Sequence, residues 1–482
     1  MANISRRCFL GGAAAFTGLT GCTSLRLAGG KPSLTFGVIS DIHITTPEST
    51  ALLERTFRAF RDRKADAVMI CGDLSDWGLR SGLEYLAATW NRVFPNNKGI
   101  GGRPIQKLFC TGNHDYEGWW YGDMTMEMHA LGYFEDEALI RLGMKQCWES
   151  IFQEEFVPIR RRSVNGYDFI SAEWYGRDKT SGFDQTDAWL KANGSGLDPS
   201  RPFFYFQHPP PAGTTSSSGG GDMQKKVSGA LAAFPNAVSF SGHTHWTLND
   251  ARSIWQGAYT AVSVPSMSYT TVPGSYENGG DARNGKSVRS MPKIPARFNL
   301  EEAQGFFVSV YSDRIELERH DFTRQKRAGE SWIVPLPMTK ERKPYTFAAH
   351  SERTPVPQFP AGADLQTFTR NTETRSDKWE IVMVCDFPTA TCGIRAFDYE
   401  IRAVPTDRSV PMVKRFLSPA FHKLPQDEPA RMRFYFNVED LPQDKEYRIE
   451  VYPRNCFGKC GKPLVSAPRR GKPGKASAIP LA

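Results

Sequence analysis

Five times in this chain a short apolar run ends on a polar motif made of metal-binding residue types. Leu34 to Ser40 leads into Asp41-Ile42-His43, Ala67 to Cys71 into Gly72-Asp73, and Ile105 to Cys110 into Gly112-Asn113-His114-Asp115. Further on, the aromatic run Phe203 to Gln207 leads into His208, and Ala237 to Ser241 into Gly242-His243-Thr244-His245. Runs of this length read as buried strands, and parallel strands in one sheet would deliver all five loops to the same edge. Of the nine histidines, five (His43, His114, His208, His243 and His245) stand in these motifs. Amide oxygens, imidazoles and carboxylates beside glycines suit a core poorly, and suit a metal site with a catalytic acid next to it well.

Between the runs the pattern alternates strand with helix. Ser49 to Arg63 carries Leu52, Leu53, Phe57 and Phe60 at helical spacing, a second helix is expected over Ser81 to Val93, and a third within 116–150. Gly305 to Tyr311 and Arg314 to Arg319, joined by Ser312-Asp313, form a hairpin pattern.

The order D-x-H, G-D, G-N-H-D, H, G-H-x-H, spread over residues 34–320, resembles that of the calcineurin-like metallophosphoesterases. The resemblance implies an α/β fold, a β-sandwich flanked by helices in αββα layers, and a phosphate-ester substrate. It also implies two divalent cations. Asp73, central in chain order, would bridge them; Asp41, His43 and His245 would complete the first ion, and Asn113, His208 and His243 the second. Mixed imidazole and oxygen donors suit manganese, iron or zinc better than calcium. A water shared by two cations loses a proton near neutral pH, which supplies a nucleophile for in-line attack on phosphorus. His114 stays outside the coordination set and would protonate the leaving oxygen, with Asp115 holding its tautomer. In the purple acid phosphatase branch a tyrosine ligand stands three positions after the G-D motif; Asp76 stands there in this chain, which argues against an iron–tyrosinate centre. The motifs leave open whether the ester is a monoester or a diester. The competing class is a non-catalytic metal-binding scaffold or adhesion protein that works through its C-terminal module.

At 482 residues the chain is too long for a single core. Residues 1–30 read as a signal and linker: Ser5-Arg6-Arg7-Cys8-Phe9-Leu10 resembles a twin-arginine export signal, and Leu19-Thr20-Gly21-Cys22 resembles a lipobox whose cysteine becomes lipidated. These imply a periplasmic or cell-surface protein whose membrane contact is the lipid on Cys22. The apolar stretch between Cys8 and Cys22 is shorter than the roughly 20 residues a membrane-crossing helix needs. The catalytic domain spans 31–337, a proline-rich linker 338–365, and a smaller all-β sandwich 366–468, followed by a basic tail, 469–482, expected to be disordered. In the sandwich, Leu441-Pro442 through Tyr447 to Val451 resembles the tyrosine-corner strand of fibronectin type III domains.

Without residues 1–21 the chain holds 58 basic and 52 acidic residues, a mild excess with no concentrated patch of the kind nucleic acid requires. Its composition does not address oligomeric state. Trp119 and Trp120 either floor a substrate pocket or pack locally. The Thr, Ser and Gly tract up to Gly221 is expected to be a mobile loop, and Arg283, Arg289 and Arg297 are candidate phosphate contacts. Cys71 and Cys110 are expected to be buried thiols, and an exported compartment permits disulfides among Cys385, Cys392, Cys456 and Cys460.

Overall fold

The apolar runs become two mixed sheets. The computed structural model describes residues 30–78, 80–116, 137–174, 182–216, 218–273, 276–279, 297–299, 303–373, 379–422 and 429–470. The signal region with Cys22, Trp119 and Trp120, Arg283 and Arg289, and the side chain of Arg297 lie outside the described residues.

The first half of the chain runs β1 (Leu34–Ile39), α1 (Thr50–Asp62), β2 (Ala67–Cys71), α2 (Arg80–Val93), β3 (Gln106–Cys110), α3 (Asn113–Tyr116) and α4 (Glu137–Phe152). There follow β4 (Ile159–Val164), β5 (Tyr167–Ala172), α5 (Gly182–Asn193), β6 (Phe203–Gln207), α6 (Asp222–Leu231), β7 (Ala237–Ser241), β8 (Ile254–Gln256) and β9 (Thr260–Ser263). A small ribbon, β10 (Tyr269–Thr271) with β11 (Arg297–Asn299), precedes β12 (Gln304–Val310), β13 (Arg314–Asp321), β14 (Lys326–Arg327) and β15 (Trp332–Pro335). The hairpin pattern at Gly305 to Arg319 is the antiparallel pair β12–β13.

One sheet has the order β14-β13-β12-β1-β2-β3, with β1, β2 and β3 parallel and β15 added beside β13. The other has the order β4-β5-β6-β7-β9-β8, with β5, β6, β7 and β9 parallel. The five motif-bearing strands are therefore divided between two sheets, not collected in one. Between the sheets lies a core in which Phe36 of β1 meets Phe169, Phe204 and Phe240 edge-on at ring separations of 5.2, 4.9 and 6.1 Å. The outer face of the first sheet buries Phe57 and Phe60 of α1, Leu86 and Trp90 of α2, and Trp148 of α4; the outer face of the second buries Phe183 of α5 and Val227 and Leu231 of α6. The expected αββα layering is thus observed. The second sheet opens on a hairpin whose turn residues, Asn165 and Gly166, have φ of 49° and 77°, the pair a tight hairpin turn requires.

Residues 366–470 add two further sheets. The first pairs β16 (Gln366–Glu373), β17 (Trp379–Pro388) and β20 (Arg431–Asn437). The second has the order β19-β18-β21-β22: Met412–Leu417, Asp398–Pro405, Glu446–Arg454 and Leu464–Val465. They enclose their own core, which includes Val384, Tyr399, Ile401, Phe434, Tyr447 and Val451.

Two local expectations are corrected. The segment 338–365 contains a helix, α7 (Phe347–Arg353), because Thr346 caps it by accepting from the Ala349 N–H. The basic tail was expected from Arg469, but Arg469–Arg470 pairs with Glu446 and Tyr447 as a further short strand, β23. In the Thr/Ser/Gly tract Thr215 and Ser218 are buried and the Ser216 N–H donates to the Arg252 carbonyl, while Gly219, Gly220 and Gly221 are exposed. Every described cysteine is a free thiol, including Cys385, Cys392, Cys456 and Cys460. Burial pushes the thiols of Cys71 and Cys110 well above their ordinary pKa, as befits inert core residues. Among the described residues no helix is long and apolar enough to cross a membrane.

Candidate metal centre

Each motif leaves the C-terminal end of its strand, and the loops are tied to one another before any side chain is considered. The Asp41 N–H donates to the Gly72 carbonyl, and the N–H groups of Ile42 and His43 donate to the Asp73 carbonyl. Asp41, His43, Asp73, His243 and His245 all sit at positive φ, between 50° and 69°, a conformation that costs on the order of 1 kcal/mol or more per residue and marks a site held by its surroundings. The motif glycines are there for space. A Cβ on Gly112 would stand 2.2 Å from Asp73 Oδ1, and one on Gly242 would stand 1.9 Å from Ser40 Oγ and 2.4 Å from Asp41 Oδ2.

Two donor clusters result. Asp41, His43, Asp73 and His245, all buried, bring one ligand atom each to within 4.8 Å of one another. Within it, His245 Nε2 is 3.0 Å from Asp41 Oδ1 and 3.3 Å from His43 Nε2. The second cluster gathers Asn113, His208 and His243: Asn113 Oδ1 lies 3.1 Å from His208 Nε2 and 3.0 Å from His243 Nδ1. Asp73 joins the two. Its Oδ1 accepts the His114 backbone N–H, while its Oδ2 lies 3.6 Å from His43 Nε2 and 3.1 Å from His208 Nε2.

The imidazoles are oriented from outside. His208 Nδ1 is 2.8 Å from the Cys71 carbonyl and His245 Nδ1 is 2.9 Å from the Tyr269 carbonyl, so in both rings Nδ1 donates outward and Nε2 faces the site. His43 Nδ1 meets the Asp76 carboxylate at 3.1 Å with the same result. Charge follows geometry. Burial alone would raise the Asp41 carboxyl, yet the His245 ring, with His208 and His43, holds it well below the usual carboxylate range. Burial likewise disfavours charge on His208, but the Asp73 carboxylate outweighs it and raises the ring to about 9.

All seven residues expected to hold metal are therefore brought together, and the set fits divalent ions: carboxylates, imidazoles and an amide oxygen with lone pairs converging on two points. His114 stands at the edge, its ring 4.5 Å from that of His43. The expectation for Asp115 is corrected. Its carboxylate accepts from the backbone N–H groups of Leu74, Ser75 and Gly112, fastening the G-D loop to the G-N-H-D loop. Neighbours on a helical turn point about 100° apart, so Asp115 cannot face the His114 ring. The carboxylate beside His114 Nδ1, at 2.9 Å, is Asp76. Burial first, then the charge of Asp73, pushes the Asp115 carboxyl up to about 7 against its three N–H bonds.

Sequence reasoning passed over Asp76 as a positioning group, and also Glu173, Tyr269 and Trp174. Glu173 is buried and accepts from the Thr111 N–H and hydroxyl; burial, partly offset by those bonds, raises it to about 7. Tyr269 stacks on His245 at 4.0 Å, and Trp174 lies 6.2 Å from both His208 and His243. The D-x-x-D spacing of Asp73 and Asp76 was the one signal available in the sequence.

Compared with known proteins, residues 34–247 match the family model described as calcineurin-like phosphoesterase, the stretch that carries both donor clusters. The fold of this part of the chain is calcineurin-like. Among solved structures, a dimetal phosphatase from Danio rerio is similar at 12% identity and a TM-score of 0.37, over 63% of this chain and 99% of that one. A purple acid phosphatase from yellow lupin (Lupinus luteus) seeds gives 12% identity and a TM-score of 0.37, over 63% of this chain and 55% of that one. The anchor in the inner membrane complex of Plasmodium gives 12% and 0.37, over 64% and 89%. No curated protein matches.

Proposed function

We propose that this chain is a two-metal hydrolase of phosphate esters that acts outside the cytoplasm. The observation that carries the proposal is the position of Asp73 Oδ2 between His43 Nε2 and His208 Nε2, where one carboxylate serves two donor clusters. Asp41, His43 and His245 would hold one divalent ion and Asn113, His208 and His243 the other. When bound, such a pair polarises phosphoryl oxygens and lowers the pKa of a water to near neutrality. The protein's own part is to aim the donors. Asp76 does this for His43, the Cys71 carbonyl for His208, and the Tyr269 carbonyl for His245. His114, with Nδ1 against Asp76, presents Nε2 as the donor for the leaving oxygen.

Manganese, iron and zinc all suit the donors. The test is to strip the chain with chelator, reload it with each metal singly, and assay an aryl phosphomonoester and an aryl phosphodiester. Metal-dependent release from either supports the proposal, and two bound metals with no release from both would overturn it.

Export and lipidation are inferred from Arg6-Arg7 and Cys22. Replacing Cys22 by serine should release the protein from the membrane fraction, and unchanged membrane association would count against the lipid anchor. We assign the C-terminal module to the fibronectin type III type. In support, its first, second and fifth strands form one sheet and its third, fourth, sixth and seventh the other, with Tyr447 buried at the start of the sixth.

A further inference from the structure

The loop beyond His245 is held at both ends. At its near end Tyr269 accepts the His245 Nδ1–H and stacks on the same ring, 4.0 Å between centroids; its ring is also 5.3 Å from that of His43. Thr271 donates its N–H to the His245 carbonyl at 3.1 Å and its hydroxyl to the Thr244 carbonyl. A few residues on, the same segment enters the C-terminal module. The Asn278 amide, 2% exposed, donates to the Leu417 carbonyl and accepts the Leu417 N–H, both at 2.8 Å. Tyr276 donates to Asp398 at 2.9 Å, and the Glu277 N–H donates to the Arg415 carbonyl at 3.0 Å. Leu417 ends β19, an edge strand, so Asn278 supplies the rung that no neighbouring strand provides.

The other side of His245 is gripped too. Trp246, the next residue, packs with Val272 of the loop and with Phe397, Leu417 and Phe421 of the module, and Asn249 donates to the Phe421 carbonyl at 2.6 Å. The module encloses a separate core of its own, to which these contacts do not belong. The contacts fall instead on both chain segments that flank one candidate ligand.

We infer that the C-terminal module is a positioning element for the metal centre: by holding Tyr276 to Asn278 and Trp246, it fixes Tyr269 and thereby the orientation of His245. This rests on the two-ion reading of the site. Removing the Asn278 amide strands a buried N–H and carbonyl at Leu417 and frees the segment that carries Tyr269. Partners standing behind metal ligands change affinity or activity by about 10- to 100-fold when lost, and that is the range expected here.

The test uses the full chain in four forms: unaltered, Asn278→Ala, Tyr276→Phe, and Val451→Ala, which lies in the module's core away from the loop. Manganese affinity is measured by titration of the chelator-stripped chain, and kcat and KM follow on an aryl phosphate. Asn278→Ala should weaken the less tightly held manganese about tenfold or more and lower kcat with little change in KM, with Tyr276→Phe moving the same way by less. Val451→Ala should lower Tm while leaving manganese affinity within about twofold. Unchanged manganese affinity in Asn278→Ala, or an equal loss in Val451→Ala, would reduce the module to a source of stability and overturn the inference. If Asn278→Ala does not fold, Tyr276→Phe decides in the same terms. A chain that binds manganese without hydrolysing any ester would refute the proposed activity, yet the titration would still decide the module's role.

Discussion

Asp76 Oδ1 stands 2.9 Å from His114 Nδ1 and 3.1 Å from His43 Nδ1, so one carboxylate oxygen orients both a proposed ligand and the proposed proton donor. The oxygen belongs to a residue only partly exposed. Burial would raise its pKa, but the His114 and His43 rings hold it well below the carboxylate range, so it stays ionised wherever the enzyme would work. Asp76→Asn keeps the size and removes the charge. The variant should lose about 10- to 100-fold in kcat and shift the basic limb of the pH–rate profile to lower pH, because a proton donor serves only while protonated and His114 would lose the negative charge beside it. An unaltered profile would remove Asp76 from the proton-donating arrangement.

Asp73 and His114 should separate cleanly. Asp73→Ala removes the oxygen shared by both donor clusters and is expected to lose both ions and all turnover, whereas His114→Ala should keep two ions and lose about 10²- to 10⁴-fold in rate. Metal content by elemental analysis is the check, and two metals retained by Asp73→Ala would sink the bridging assignment.

Gly242→Ala places a methyl 1.9 Å from Ser40 Oγ and 2.4 Å from Asp41 Oδ2. Neither neighbour can withdraw without moving a candidate ligand loop. The expected cost is about 1–3 kcal/mol of stability together with loss of metal binding, read from a denaturant titration and a metal assay.

Glu173 gives a pH-dependent outcome. Its carboxyl is pushed up to about 7 by burial, from an ordinary value of 4.5. Below the ordinary value it is protonated in both folded and unfolded chains; above about 7 the folded chain carries a buried charge, so stability falls as pH rises through that window. Glu173→Gln stays neutral. With ions removed, it should be more stable than the parent at pH 8, by up to about 3 kcal/mol, and should show no gain at pH 4. Equal denaturation midpoints at pH 8 would contradict this.

The donors were readable in the sequence because each one follows an apolar run within one to four residues, and a strand end fixes where such a residue goes. Asp41, Asp73, Asn113 and His208 needed nothing more. The division into two sheets was not readable from the runs themselves, since β3 and β6 are equally short and both end in buried residues. The signal lay in Asn165-Gly166, a tight-turn pair that starts an antiparallel hairpin and hence a new sheet edge. Asp115 was misjudged because adjacency in sequence is not adjacency on a helical turn. Glu173 and Tyr269 act on Thr111 and His245 across 62 and 24 positions, contacts that only the folded backbone brings about. Asn278 is the extreme case, reaching Leu417 across 139 positions.

The first sheet contributes Asp41, His43, Asp73 and Asn113, and the second contributes His208, His243 and His245. Neither donor cluster can be assembled from one sheet alone. An ion seated in either cluster would therefore pin the two halves of the sandwich against sliding, and the Phe36 contacts that set the gap between them also set the reach of the ligands. Heat resistance and metal occupancy would then rise and fall together, making the unfolding temperature of this chain a gauge of how much metal it carries.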